Sequence, residues 1–326
     1  MLICIMNSDT NKVRSGPIKR GPRLLALSAG GDRGAVLVGM LHGLYRVEGR
    51  DRVDWQQIAG ISAGAIVGGL VSQTLPETFD SKMEHAKDLF ELGGFHVIEP
   101  HTRWGFYANA IDALWYYDSL YSNAPMRKLI TDNFNETLCF TPLKVGAYNK
   151  DTCEYETFTD NLENAITASA SVPIVFPPIQ IGPHKYQDGA LRHIIPVEEI
   201  FQFIKEHPNG CEIDVMICYP INCYELFFKA TTPEGYLPLI EESFRVMTDQ
   251  MLSTLNNDLK ELARYLEITH DEIRAKACNT FCKGNIVIHI FSPDDAVYTN
   301  FTNIKPAEMK NMYDGGKRVI REYLKG

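Results

Sequence analysis

The stretch Gly60-Ile61-Ser62-Ala63-Gly64 leaves the backbone around Ser62 little choice, because it follows WQQIA and opens into AIVGGLVSQ. In a Gly-x-Ser-x-Gly pentapeptide the serine occupies a strained bend between a strand and a helix. Gly60 and Gly64 flank it because a side chain at either place would collide with the adjoining strand and helix. The helix that follows directs its free N–H groups and the positive end of its dipole at the same spot. Taken alone, the pentapeptide also fits a small-residue turn without chemistry. The apolar strand before it and the small-residue helix after it are the context a nucleophile needs.

The same strand, glycine turn and helix occur once earlier. LLALS leads through AGGDRG into AVLVGMLHGLYRVEG, where Val36, Met40, Leu44 and Val47 keep helical spacing. Further on, LKVGAYN, EYETFT, IDVMICYP and NIVIHIFSP read as strands, with helical stretches at 160–170, 194–206 and 238–280. There is no internal repeat, low-complexity tract or linker, so a single α/β domain is expected over 23–326, with a motif-bearing core at 24–197 and 198–326 completing the layers. A flexible basic segment, 1–22, is expected before it. Lys12, Arg14, Lys19, Arg20 and Arg23 face only Asp9 there, which suits either a solvated tail or contact with anionic headgroups.

A formal net charge of −9 argues against a protein that coats nucleic acid. Eight cysteines lack any Cys-x-x-Cys pair or zinc spacing, so no structural metal is expected, and the cysteines read as small apolar residues of a reducing compartment, with disulfides as the alternative; no cofactor is expected. MLICIM lacks a signal peptide's charged start, and no window of eighteen apolar residues exists. A cytoplasmic or intracellular protein, peripheral to the membrane during turnover, is therefore expected.

The segment Ser28 to Gly34, SAGGDRG, admits two uses. It could cradle a phosphate, but Ala29 stands where a dinucleotide fingerprint needs its first glycine, and no Gly-Lys-Ser/Thr follows. It could instead present backbone N–H groups at Gly30 and Gly31 to a developing alkoxide. A serine nucleophile also needs a base. His184 and His193 flank Asp188 but lie in no catalytic motif, whereas Asp188-Gly189-Ala190 could set a carboxylate directly against the serine, if it is not simply a turn.

Taken in order, AGGDRG, GISAG and DGA resemble the signatures of the patatin-like phospholipases, Gly-Gly-Gly-x-Arg/Lys-Gly, Gly-x-Ser-x-Gly and Asp-Gly-Ala/Gly. The segments ASASVPIVFPP and VGAYNKDTCEYETFTD extend the likeness, which covers Leu24 to Val197 well. The resemblance implies a three-layer α/β/α fold with a central, mostly parallel sheet and a Ser62–Asp188 dyad. No acidic cluster has calcium-loop spacing, and SPDDAVYTN is too sparse to fill six oxygen ligands, so the activity is expected to be calcium-independent. The resemblance further implies an oxyanion hole along Gly30, Gly31, Asp32, Arg33 and Gly34, with Gly60 and Gly64 forming the nucleophile elbow. Ala29 departs from the family glycine and would be strained only if its φ were positive. Asp32 adds a carboxylate beside the hole, which repels an anion unless it faces solvent or pairs with Arg33. Arg33 itself would either hold the loop or approach a phosphate.

The implied reaction is hydrolysis of fatty acyl esters of glycerophospholipids, with a phospholipid or membrane surface as partner. Acyl transfer, neutral-lipid hydrolysis and a non-catalytic lipid-binding module are the alternatives, and the motifs leave any activating partner and the oligomeric state open. Phe90, Phe95, Trp104, Phe106, Tyr107, Trp115, Tyr116, Tyr117 and Tyr121 crowd residues 90–121. That crowding suits an acyl groove, an interfacial rim or a satellite core.

Overall fold

The computed structural model describes residues 21–93, 99–100, 119–222, 238–293 and 306–324. Strand β1 (Arg23–Leu27) enters helix α1 (Gly34–Glu48), and β2 (Gln57–Ile61) enters α2 (Ala63–Ser72). Both strands are buried at every residue, which is why they read as continuous rather than alternating apolar runs. Then come α3 (Phe79–Gly93), the short β3 (Glu99–Pro100) and β4 (Tyr121–Ser122), α4 (Ala124–Asn133), and the hairpin of β5 (Leu143–Asn149) and β6 (Glu154–Phe158). Helix α5 (Leu162–Ser169), β7 (Ile179–Ile181), β8 (His184–Asp188), α6 (Val197–Glu206) and β9 (Cys211–Met216) complete the segment that carries the motifs.

The helical run expected over 238–280 divides. Helix α7 (Pro238–Leu266) stops where Glu267 takes a φ of 61°, and α8 (His270–Arg274) restarts on a capping box between Thr269 and Glu272. Strand β10 (Cys278–Lys283), which sequence reading placed partly in that helix, pairs antiparallel with β11 (Ile286–Phe291), and α9 (Pro306–Tyr323) follows.

The main sheet has the order β10-β11-β9-β1-β2-β5-β8-β7, with β6 added to β5. Its centre, from β11 to β5, is parallel, and its margins are antiparallel. Helix α1 packs against α9 and α3, whereas α7 packs against α6, β10 and the turn after Asp188, and the two groups of helices flank the sheet in three layers.

One detail of pairing positions the site. Residues 143–146 of β5 pair with β2, whereas 147–149 pair with β8, and β6 holds the opposite edge of the same strand. The parallel β2 and the antiparallel β8 thus share one edge of β5 with their C-terminal ends facing each other. Ile61 is opposite Gly146 and Asp188 opposite Ala147.

On the α1 face, α9 lies almost backbone to backbone with α1. A Cβ at Gly39 would sit 2.0 Å from the Tyr313 carbonyl oxygen, and one at Gly316 would sit 2.1 Å from that of Val36. Below these helices Arg23, the last cation of the basic N-terminal group, is 2% exposed and donates to Asp214 at 2.6 Å. It is part of the sheet, not of a solvated tail; residues 1–20 of that segment lie outside the described residues. Asp214 also accepts from Arg52 and Trp55, and Glu212 lies 3.0 Å from His289. The structure thus gathers Glu212, Asp214 and His289 as a metal-ligand set would be gathered. Their lone pairs are nevertheless spent on this buried ion-pair network.

Gly316→Ala tests the helix pair. Alanine is the better helix former by about 1 kcal/mol, yet its methyl has no room, and overpacking typically costs 1–3 kcal/mol or more. Urea unfolding followed by circular dichroism should show a net loss of about 1–2 kcal/mol, since a Cβ 2.1 Å from a backbone carbonyl puts the overpacking cost in the upper part of its range.

Candidate active site

Ser62 sits at the junction of β2 and α2 with φ 55° and ψ −121°, a conformation L-residues rarely adopt. The two flanking glycines explain how it is tolerated. A Cβ at Gly60 would lie 2.3 Å from the Gly64 carbonyl oxygen, and one at Gly64 would lie 2.3 Å from that of Leu27, at the end of β1. The Ser62 amide donates to Ser169 Oγ at 2.8 Å, and that hydroxyl donates to the Gly146 carbonyl at 2.6 Å. Ser169, at the end of α5, therefore ties the bend to β5.

Ser62 Oγ donates to Asp188 Oδ2 at 2.7 Å, and both residues are buried, at 3% and 2% exposure. Asp188 Oδ1 accepts the Ala190 amide at 2.8 Å, and the Asp188 amide donates to the Ser171 carbonyl at 3.0 Å. The Asp-Gly sequence is also a tight fit, since a Cβ at Gly189 would meet the Gly146 carbonyl oxygen at 2.6 Å. Burial pushes the Asp188 carboxyl from an ordinary 3.8 up to about 7, against the opposing pull of the Ala190 amide and the Ser62 hydroxyl. Neither flanking histidine approaches the serine. His184 pairs with Asp151 at the surface, and His193 is held by Asp258 at 2.8 Å.

The glycine loop lies against the bend, for a Cβ at Gly34 would be 3.3 Å from that of Ala63 and would strike the Phe90 ring. Gly30 is extended, at φ −175°, and is glycine for want of space, because a Cβ would sit 2.3 Å from Cys218 Sγ. Gly31 is glycine for its conformation, φ 57°. Ala29 is not among the positive-φ residues, so its departure from glycine carries no strain, and its amide donates to the Ile194 carbonyl at 2.8 Å. The next two peptides are held by their carbonyls, with Ala29 O accepting from Ser28 Oγ at 2.9 Å and Gly30 O from the Arg33 amide at 3.0 Å. In a trans peptide the N–H points opposite its carbonyl. The Gly30 and Gly31 N–H groups therefore turn away from these partners, and among the described residues neither donates to an acceptor.

Arg33 is 7% exposed, its guanidinium 5.2 Å from the centre of the Tyr219 ring, and 3.6 Å separates it from Asp32 Oδ1. That places it within the loop's own packing and gives Asp32 the counter-charge required of it. Of the aromatic cluster, Phe90 packs against the core and Tyr121 is buried, while Phe95, Trp104, Phe106, Tyr107, Trp115, Tyr116 and Tyr117 lie outside the described residues. Sequence reading assigned no roles to Ser169 and Ser171, although both stand at the ASASVP segment it singled out. It missed Asp258 altogether. Among the described residues no helix is long and apolar enough to cross a membrane.

Burial of Asp188 has a signed consequence for stability. Its pKa is higher in the fold than in the unfolded chain, so between about pH 4 and 7 the native state binds more protons, and stability falls as pH rises through that window. Asp188→Asn keeps an acceptor for Ala190 and removes the buried charge. Thermal unfolding should show it more stable than the wild type at pH 8, by a few kcal/mol at most, with the gap closing toward pH 4.

A family model described as patatin-like phospholipase matches residues 25–201. Among solved structures, the chain is similar to VipD from Legionella pneumophila, with 10% identity and a TM-score of 0.38 over 93% of this chain and 67% of that one. It is also similar to the type III effector protein ExoU, with 14% identity and a TM-score of 0.29 over 76% of this chain and 61% of that one. The chain thus spans about two thirds of the length of these structures. No curated protein matches it.

Proposed function

The chain belongs to the patatin-like phospholipase family, and from that premise we propose that it hydrolyses fatty acyl esters of glycerophospholipids with Ser62 as nucleophile and Asp188 as its base. The observation that carries the reading is the 2.7 Å hydrogen bond from Ser62 Oγ to a buried carboxylate, with no histidine interposed. Ser62 Oγ attacks the ester carbonyl while its proton passes to Asp188 Oδ2. The carbonyl oxygen becomes an alkoxide, received by the Gly30 and Gly31 N–H groups and by the N-terminal end of α2. Collapse of the tetrahedral adduct breaks the ester bond, and the departing lysophospholipid alkoxide takes the proton from Asp188. Water then attacks the acyl-enzyme, Asp188 accepting its proton and returning it to Ser62 as the fatty acid leaves. A carboxyl with a pKa near 7 suits this exchange, since it is close to balance between holding and releasing a proton at neutral pH.

Mass spectrometry of mixed phospholipid and neutral-lipid vesicles tests the reading and identifies the acceptor. The wild type should release free fatty acid and lysophospholipid; an acylated alcohol or untouched phospholipid beside cleaved neutral lipid would move the function to a transferase or a neutral-lipid lipase. Ser62→Ala should abolish release and labelling by a fluorophosphonate. Asp188→Asn should lower the rate ~10²–10⁴-fold, and His184→Asn should change it little. Persistent labelling of folded Ser62→Ala sinks the nucleophile assignment.

The proton acceptor must be ionised, so kcat/KM should rise with pH and reach half its plateau near pH 7. The profile is best taken on zwitterionic vesicles, whose surface charge does not titrate in that range. A rate already flat down to pH 5 would contradict the raised pKa of the Asp188 carboxyl, and the Asp188→Asn rate would then decide its role as base.

A further inference from the structure

Helix α7 lies beyond residues 25–201, yet it supplies a side chain to the framework of the site. Asp258 is 1% exposed, and both its oxygens are spent on one turn. Oδ1 lies 2.8 Å from His193 Nδ1, and Oδ2 accepts the amides of Ile194 at 2.7 Å and Ile195 at 2.9 Å. That turn is joined to both halves of the site. The Arg192 and His193 amides reach back to the Gly189 carbonyl, one residue past Asp188, at 2.9 and 3.0 Å. The Ile194 carbonyl holds the Ala29 amide at 2.8 Å, next to Gly30. The Ile194 carbonyl and the Ile195 N–H belong to one planar peptide. Asp258 therefore fixes the plane on which the glycine loop hangs, and its charge polarises that peptide toward a stronger bond to Ala29.

We infer that Asp258 is a positioning residue of this active site, setting the glycine loop and the Asp188 turn at their mutual distance. The inference rests on the Ser62–Asp188 reading above. A positioning role differs from mere support of the fold in what it changes. Misplacing oxyanion donors by an ångström weakens the transition state and leaves substrate binding alone, so the loss falls on kcat and not on KM.

The test compares Asp258→Asn and Asp258→Leu with Asp214→Asn, an equally buried carboxylate held by Arg23, Arg52 and Trp55 in the network below α1 and α9. For each protein, Tm, the rate of fluorophosphonate labelling, and kcat and KM for fatty acid release from zwitterionic phospholipid vesicles are measured below every Tm. Asp258→Asn keeps the volume and one oxygen for the two amides; it should lower kcat and the labelling rate about 10-fold, with KM within about twofold. Asp258→Leu should lower kcat ~10²-fold. Asp214→Asn should lose Tm but keep kcat within about twofold. Should Asp258→Leu not fold, Asp258→Asn decides. The inference is overturned if Asp258→Asn keeps wild-type kcat, or if Asp214→Asn loses kcat in the same proportion to its loss of Tm. Failure of the underlying reading shows separately, as activity surviving in Ser62→Ala or Asp188→Asn.

Discussion

Two strands share one edge of β5, and the meeting of Ser62 with Asp188 follows from that arrangement. β2 pairs with residues 143–146 in parallel and β8 with 147–149 antiparallel, so the chain leaves one strand at Ser62 and enters the other's final residue, Asp188, at adjacent ladder positions. A shift of either strand by one residue would turn its side chains to the other face of the sheet and part the two groups. The register is pinned on β5, where Leu143, Val145 and Ala147 are buried while Lys144 and Tyr148 are only half-buried, and a slip would exchange these faces. Ser169 secures the junction by bonding to the Ser62 amide and the Gly146 carbonyl together.

The energetics of the pair follow from the same burial. An isolated carboxylate taken out of water is strongly disfavoured, and Asp188 has two hydrogen-bond donors, Ala190 N–H and Ser62 Oγ–H, to offset that penalty in part. The residual imbalance appears as the raised pKa, which destabilises the fold above neutral pH and makes the carboxyl a stronger proton acceptor once ionised. Stability given up at the site is held elsewhere, in the apolar sheet centre and in the Arg23–Asp214–Arg52 network, where each buried charge faces an opposite one.

The C-terminal part of the chain takes part in this framework on both faces. Helix α9 clamps α1, whose first turn continues directly from the glycine loop, through glycines that let backbones touch. Helix α7 reaches the loop from the other side through the turn at 193–195. The glycine loop is thus held between two layers, with its anchors at Ile194 and at the end of β9, where Ser28 N–H donates to the Met216 carbonyl and Ser28 Oγ accepts from Cys218 N–H.

What the sequence determined by itself is local. The bend at Ser62, the left-handed Gly31 and the strand-to-helix passages are set largely within a few residues by backbone sterics. The family likeness added an order of motifs, and with it the pairing of Ser62 with Asp188 as an expectation. An Asp-Gly pair taken alone reads as a turn; only the register across β5 sets its carboxylate against Ser62. The harmlessness of Ala29 was likewise undecidable from the chain, because it depends on a φ and on an amide bond to a residue more than 160 positions away. Asp258 left no usable signal and Ser169 none beyond its place in ASASVP, since both bond mainly to backbone amides and carbonyls that every sequence supplies. Strand β10 was obscured because it is only half-buried and follows a helix of strong periodicity. Contacts between distant segments are chosen by how the layers pack, and that choice belongs to the tertiary structure.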